Sequence, residues 1–298
     1  MRVFVTGATG FVGSAVIREL VSAGHQVLGL SRSETSNASL QAAGADAHRG
    51  SLDDLASLQA GAAAADAVIH TGFNHDFSKY KESCESDRRI IAAFGDELSG
   101  SDRPLLVTSG SGLLQVGRPS TEDDLPNLSS SVIPRVATEE AVAAIVERGV
   151  KASLIRLPPS VHGTGDHGFV PMLIARARET GVSAYVGNGD NRWPAVHRLD
   201  AAKVYRLALE RGTLEPRYHA VAEEGVPFRQ IADLIGRRLG VPIVSKSREE
   251  AVAHFGWFAH FAGMDSPASS AKTKEWLTWK PSQLGLLEDL DQDAYFTG

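Results

Sequence analysis

A single cysteine, Cys84, stands in 298 residues, so no disulfide can close within the chain, and no Cys/His cluster has zinc-ligand spacing. That scarcity points to a reducing compartment, the cytoplasm, and gives no reason to expect a metal. Positive charge is in deficit: 30 Lys+Arg against 36 Asp+Glu leave a formal charge of -6. This provides no electrostatic footprint for nucleic acid or an anionic membrane. No run of about 18 apolar residues occurs, and the opening MRVFVTGATGFVG reaches glycine too early for a secretory signal. A soluble protein is expected. Hydrolase signatures are missing too, with no G-x-S-x-G around Ser109 or Ser111, no G-x-x-x-x-G-K-[ST] and no H-E-x-x-H. What is present is an ordinary globular composition, 43% hydrophobic and 22% charged, in a length suited to one large or two modest domains.

Short apolar runs at residues 2–6, 25–30, 67–70, 104–108 and 152–156 read as strands, most separated by helix-like segments. The first of these segments, 11–23, carries Val12, Val16, Leu20 and Val21 at helical spacing, and Gly24 stops it. Strands alternating with helices predict an α/β fold around a parallel, doubly wound sheet covered on both faces. After Arg156 the pattern changes: prolines at 158, 159 and 171, aromatics at 185 and 193, then a helix near 201–210 and a short strand near 218–222. This predicts a nucleotide-binding domain from 1–159 plus about 196–224, and a smaller substrate-binding lobe from about 160–195 plus 225–298.

Gly7, Gly10 and Gly13 in TGATGFVG lie between the first strand and the first helix. A backbone without Cβ can there approach a pyrophosphate at the positive end of a helix, which makes this a dinucleotide site. The spacing is G-x-x-G-x-x-G. At the end of the second strand an acidic residue would bind a ribose 2′-hydroxyl, whereas an arginine accommodates a 2′-phosphate. Ser31, Arg32 and Ser33 stand there, with Glu34 past the expected place, so NADP(H) is expected over NAD(H).

TGATGFVG, DAVIH at 66–70, LLVTSGSG on the fourth strand, IRLPPSVHG on the fifth, VHRLDAAKVY and SSAKTKEWLTWKP run in an order that resembles the extended short-chain dehydrogenase/reductases, including the NAD(P)-dependent epimerase/dehydratase-like proteins. The resemblance implies a Rossmann domain, a smaller C-terminal lobe and nicotinamide chemistry in the cleft between them. Carried over by position, it puts Gly7, Gly10, Phe11, Val12 and Gly13 on the pyrophosphate, Arg32 with its flanking serines on the adenosine phosphate, and Ser51 and Leu52 beside the adenine. Thr71, Gly72, Phe73, Thr108, Pro158, Pro159 and Val161 would line the cofactor. His162 stands where relatives often have tyrosine and is a candidate for the mouth of the site.

One departure matters. The family's acid/base pair, Y-x-x-x-K on the helix after the fourth strand, is missing, because none of the five tyrosines lies between the fourth and fifth strands. Ungapped counting puts Ser131 and Arg135 at those places, while a one-turn deletion puts Arg135 and Glu139 there. The active-site serine falls within 108–111, with Ser109 and Ser111 on either side of the matching glycine. The resemblance is therefore to the atypical branch, which ranges from reductases to proteins that only sense NADP.

Hydride transfer is the cofactor's chemistry and survives the missing tyrosine. The proton could come from Ser109, Ser111, a histidine such as His75 or His162, water, or the substrate's own hydroxyl; water or substrate is preferred. Asn74 and His75 follow the third strand at the cleft. Trp193 stands near the junction with the lobe, and Phe255, Trp257, Phe258, Phe261 and Met264 form an aromatic segment suited either to a lid over a flat substrate or to the lobe's core. His70 is expected to be a satisfied core histidine, and Arg135 either to hold a ribose or phosphate or to pair with Glu139. The expectation is an NADPH-dependent ketoreductase acting on a bulky apolar or aromatic ketone of polyketide-like type, as monomer or homodimer. The alternative is a non-enzymatic NADP-binding regulator or redox sensor. Sugar epimerisation or dehydration ranks below both, because it needs a base to remove a hydroxyl proton.

Overall fold

The computed structural model describes residues 1–114, 117–212 and 215–297. The Rossmann part runs β1 (Arg2–Thr6), α1 (Phe11–Ser22), β2 (Gln26–Ser31), α2 (Glu34–Ala42), β3 (Asp46–Arg49), α3 (Leu55–Ala63), β4 (Ala67–His70), α4 (Tyr80–Leu98), β5 (Leu105–Gly110), α5 (Ala137–Glu147) and β6 (Ala152–Leu157). The chain continues as β7 (Ser160–His162), α6 (Phe169–Thr180), β8 (Ser183–Val186), β9 (Arg192–His197), α7 (Arg198–Arg211), β10 (Arg217–His219), β11 (Glu223–Pro227), α8 (Phe228–Leu239) and β12 (Ile243–Lys246). It closes with α9 (Arg248–Phe255), α10 (Ala259–Ala262), α11 (Ala271–Leu277) and α12 (Leu286–Leu290).

Seven strands form one parallel sheet in the order β10-β6-β5-β4-β1-β2-β3. The central strands are almost wholly apolar because both faces are covered. On one face Val3 and Val5 pack with Val16 and Leu20 of α1 and with Ala201 and Tyr205 of α7. On the other, Phe4 and Val68 pack with Leu58 of α3, Phe94 of α4 and Ile145 of α5. The order reverses between β1 and β4, which opens a crevice beyond their carboxyl ends, the usual ligand position in such sheets.

Two edge strands depart from the sequence reading. β3, with sequence DAHR, has no apolar run and was not foreseen; it exists because Asp46 to Arg49 pair with β2, and its exposed charged ends suit a sheet edge. β10 sits slightly before the expected strand and pairs with β6 at the other edge.

The remaining segments build a smaller unit from a β11-β9-β7 sheet and a β12-β8 pair. Its core gathers Val170 and Ile174 of α6, Trp193 of β9, Phe228 and Ile235 of α8, and Leu286. β9 leads directly into α7, so His197 and Arg198 mark the return from this unit to the flank of the large sheet. Among the described residues no helix is long and apolar enough to cross a membrane, and no group of three or more His, Cys, Asp or Glu could hold a metal.

Candidate functional site

The glycine turn has the shape a pyrophosphate requires. Gly7 has φ of +65°, and a Cβ there would lie 2.7 Å from the Gly72 nitrogen, so β1 and the loop after β4 approach backbone to backbone. A Cβ on Gly13 would lie 2.1 Å from the Gly7 carbonyl oxygen, which lets α1 start hard against the turn. Gly10 differs: its Cβ would meet nothing within 4 Å except the Gly7 oxygen at 3.1 Å. Gly10 is also the N-cap of α1 and has no side-chain cap, so the amides of Phe11 and Val12 are left for a ligand. These residues fit a dinucleotide. Thr71 completes the turn, its hydroxyl donating to the Thr6 carbonyl at 2.7 Å, and the Gly72 amide donates to the Thr6 hydroxyl at 3.2 Å.

At the end of β2, Ser31 is buried and donates to the Ser33 carbonyl, while Ser33 caps α2 by accepting from the Ser36 amide. Arg32 is exposed and makes no ion pair among the described residues, whereas Glu34 is paired with Arg49 at 2.8 Å. Ser51 and Leu52 follow β3; the Leu52 side chain approaches Gly72, placing it beside the turn.

Between β4 and β5 the site turns polar and cationic. Arg135, just before α5, reaches the Asp87 carboxylate at 2.6 Å, the Thr138 hydroxyl and the Thr108 carbonyl at 3.1 Å. Its guanidinium lies 4.1 Å from the Phe73 ring centroid. Asp87 is buried and also meets His70 at 2.9 Å, and His70 meets the Thr6 hydroxyl at 2.6 Å. Hydrogen bonds thus run from β1 through His70 and Asp87 to Arg135. His70 is the satisfied core histidine the sequence suggested. Burial pushes the Asp87 carboxyl up, but the Arg135 charge and the His70 and Thr138 hydrogen bonds overcome this and hold it well below the carboxylate range. Thr108 donates to the His70 carbonyl at 2.8 Å and meets the Tyr205 hydroxyl at 2.8 Å.

Arg135 and Glu139 do not pair with each other, contrary to one expectation. Glu139 binds Arg156 through two contacts, 2.8 and 2.6 Å, and accepts from the Ser109 hydroxyl at 2.8 Å. Ser131 is exposed, with its hydroxyl on Ser129. Of the residues at the two tyrosine/lysine alignments, Arg135 alone stands over the Phe73 ring.

Aromatic rings from both parts of the chain meet beyond this point. Phe73 lies 5.2 Å from His75 and 6.4 Å from Tyr80, and Phe77 stacks on Tyr80 at 5.7 Å. From the smaller unit, Trp257 stacks on Phe77 at 4.5 Å with an interplanar angle of 23°, and Phe169 lies 6.5 Å from Phe77. Trp257 is 51% exposed and Phe261 half-buried, so both are open to a bound molecule. Asn74 is exposed, its side chain accepting from the Asp76 amide. His75 is exposed beside these rings; the protein around it and then the Arg135 charge lower its pKa. Burial raises the Tyr80 phenol to about 12, the nearby Cys84 adding to the rise and Arg135 opposing it.

Several expected site residues are instead packed away. Trp193 is fully buried, its indole donating to the Phe261 carbonyl at 3.1 Å, so it is core and not a substrate wall. Phe255 and Phe258 also belong to that core, and nearly buried Met264 reaches toward Gly112 after β5. His162 does not stand at the mouth: it is 1% exposed, with Nδ1 on Asp289 at 2.9 Å and Nε2 buried without a partner. The residue occupies the end of β7, whose sheet turns it inward. Ser109 is committed to Glu139, and Ser111 is wholly buried with an unpartnered hydroxyl. Pro158 is buried and Pro159 and Val161 half-buried along the exit from β6.

A profile of the NAD dependent epimerase/dehydratase family matches residues 3–221. The chain belongs to this family. An uncharacterized protein of Schizosaccharomyces pombe is 51% identical over 99% of this chain and 100% of its own length. The 2-alkyl-3-oxoalkanoate reductase of Stenotrophomonas maltophilia is 30% identical, covering 83% of this chain and 78% of that protein. Among solved structures, the dTDP-glucose 4,6-dehydratase of Streptomyces venezuelae with NAD bound superposes with a TM-score of 0.78 over 99% of this chain and 97% of that one; at 17% identity this concerns the fold alone. As a member of the epimerase/dehydratase family the protein is an NAD(P)-dependent oxidoreductase, built on a Rossmann-like α/β fold.

Within that family frame, the residues the sequence reading missed are Tyr80, Phe77 and Asp87. Phe77 lies in a polar loop and Tyr80 at a helix start, where nothing periodic distinguishes them; their position after β4, at the carboxyl end of the sheet, was the available signal. Asp87 reads as one more charge on a polar helix, and only its burial beside Arg135 singles it out.

Proposed function

We propose that the protein is an NADPH-dependent ketoreductase that reduces a carbonyl on a flat, mainly apolar substrate to an alcohol. The observation that carries this reading is a cluster of rings beyond the carboxyl ends of the sheet: Phe73, Phe77, Tyr80 and Trp257 form an aromatic wall, with the Arg135 guanidinium on Phe73. Such a wall suits a ring or conjugated ketone better than a sugar, which would need many hydrogen-bonding side chains. The reduced dinucleotide supplies the hydride when bound. The glycine turn would hold its pyrophosphate and Arg32 its 2′-phosphate. Arg135, oriented by Asp87, supplies a fixed positive charge beside these rings.

The proton comes from water or from a hydroxyl on the substrate: Ser109, Ser111 and His162 are buried, with the first and last bonded elsewhere, and the surrounding protein and then the Arg135 charge lower the pKa of His75, which disfavours its acid form. A Tyr80 phenol at about 12 is a poor base at neutral pH, which favours reduction over the alcohol oxidation that starts an epimerase or dehydratase cycle. Supporting the reduction of a carbonyl, a relative at 30% identity is named a 2-alkyl-3-oxoalkanoate reductase. The stacking of Phe77 on Trp257 across the cleft favours a second reading, a non-enzymatic NADP-binding regulator whose cleft stays closed.

The deciding experiment measures NADPH binding by intrinsic fluorescence, then NADPH oxidation by absorbance with isatin, ethyl benzoylacetate and ethyl 2-methylacetoacetate. Ketone-dependent oxidation supports the reductase. Tight NADPH binding without turnover on any carbonyl moves the regulator ahead, and no binding of NADPH or NADH removes both.

A further inference from the structure

Arg198 opens α7, where the chain returns from the smaller unit, and its guanidinium lies 4.8 Å from the centroid of the Phe11 ring. Phe11 is the first residue of α1, immediately after the uncapped Gly10. His167, from the loop after β7, meets the same ring edge-on at 5.7 Å. Among the described residues every other arginine that is buried or partly buried has a carboxylate or carbonyl partner: Arg2, Arg88, Arg103, Arg135, Arg156, Arg176, Arg192, Arg206, Arg217 and Arg238 all do. Arg198 is half-buried and, among the described residues, has the Phe11 ring as its contact and no hydrogen bond or ion pair. Burial and the charge of Arg18 lower its pKa, against weaker support from Tyr295, Asp166 and Asp289. A partly desolvated guanidinium without an anion gains from a ligand that supplies one. Stacking on a ring leaves the N–H edges of a guanidinium free, and those edges match two phosphate oxygens at once.

We infer that Arg198 is a second clamp on the dinucleotide pyrophosphate, brought to the glycine turn from the far half of the chain and seated on the Phe11 ring. The inference rests on the reading of that turn as a dinucleotide site and adds the residue that closes it. It also gives Phe11 two tasks: its amide faces the phosphate from the helix end, and its ring positions the cation opposite.

The test uses three ligands on the full-length protein by titration calorimetry: NADPH, ADP-ribose, which has the pyrophosphate but no 2′-phosphate or nicotinamide, and 2′-AMP, which has the 2′-phosphate but no pyrophosphate. Arg198→Met keeps the packing on Phe11 and removes the charge. It should weaken NADPH and ADP-ribose by about 10- to 100-fold, the range expected for a charged hydrogen-bonded contact, and leave 2′-AMP within about twofold. Arg32→Ala should give the reverse pattern, weakening 2′-AMP and sparing ADP-ribose. Should the methionine variant fail to fold by circular dichroism, Arg198→Gln is judged by the same criteria. Unchanged ADP-ribose affinity overturns the inference, as does an equal loss for all three ligands, which would mark a structural role at the junction. If the unaltered protein binds none of the three, the dinucleotide reading itself fails and the inference with it.

Discussion

Replacing Arg156 by methionine removes one half of a buried ion pair and leaves the other half in place. The Arg156 side chain is 0% exposed and that of Glu139 6%. The guanidinium holds both carboxylate oxygens and also donates to the Asp124 carbonyl at 2.9 Å. Without it, Glu139 keeps a single hydrogen bond, from Ser109. A lone buried carboxylate then takes up a proton, and neutralising a glutamate of ordinary acidity at pH 7 costs about 3.7 kcal/mol, at about 1.4 kcal/mol per pH unit. This agrees with the roughly 3–5 kcal/mol measured when one partner of a buried pair is removed. The sign follows by linkage: the folded variant holds a proton that the unfolded chain releases, so its deficit grows as pH rises above about 4.3 and shrinks to about 1 kcal/mol at pH 5. His219 works in the same direction: burial and then the Arg156 charge push it down to about 4, below the roughly 6.5 of the unfolded chain, so removing Arg156 relieves the second cause and further shrinks the deficit at pH 5. Urea unfolding followed by tryptophan fluorescence, with circular dichroism as a second probe, measures the difference at both pH values. Arg156→Met paired with Glu139→Leu should recover most of the loss. A deficit under about 1 kcal/mol at pH 7, or one equal at pH 5 and 7, would refute the reasoning and reopen Glu139 as a group available to the cleft.

Asp87 should shape the acid limb of stability. Its carboxyl is held below the ordinary range, so its contribution is present above the unfolded value of about 3.9 and is lost as pH falls below it. Unfolding midpoints of the unaltered protein should therefore drop more steeply below pH 4 than those of Asp87→Asn, and parallel curves would contradict the assignment. Arg32→Ala should weaken NADPH by about tenfold or more with little change for NADH, as expected from losing a charge-assisted contact; equal weakening of both would remove the NADP preference. If water or substrate supplies the proton, Tyr80→Phe should keep ketone turnover within about threefold, whereas a fall of about 10²- to 10⁴-fold with unchanged NADPH affinity would make the phenol the donor. Gly10→Ala should fold normally, because its Cβ meets only one atom within 4 Å, yet lose NADPH affinity by obstructing the turn. Unchanged affinity would place the pyrophosphate elsewhere.

Local signals carried the reading of the glycine turn and its neighbours. A glycine whose φ must be positive, a helix whose first turn has no cap and an arginine after the second strand each act within a few residues, so their meaning survives without knowledge of the rest of the chain. The alternating order of elements likewise implied the parallel sheet, because buried central strands must be apolar throughout. The edge strand β3 escaped for the same reason in reverse: DAHR has no pattern of its own and becomes a strand only by pairing with β2.

The chemistry at the other end of the site depended on distant partners. Ser109 and His162 looked available in the sequence, yet Glu139 and Asp289 take them up, and no local spacing announces either pairing. The aromatic segment at 255–261 divides in the same way: Phe258 packs inward against Phe169, while Trp257 one residue earlier reaches across to Phe77. Arg135 and Glu139, a helical turn apart and of opposite charge, invited a mutual pair, but buried Asp87 and Arg156 offered each a less hydrated partner. Which polar group is bonded, and which is left for a ligand, is a property of the packed interior, where desolvation makes each donor and acceptor take whatever partner the fold delivers. The sequence by itself determined the sheet, the glycine turn and the class of cofactor; the tertiary structure alone decided which side chains remain free to meet a substrate.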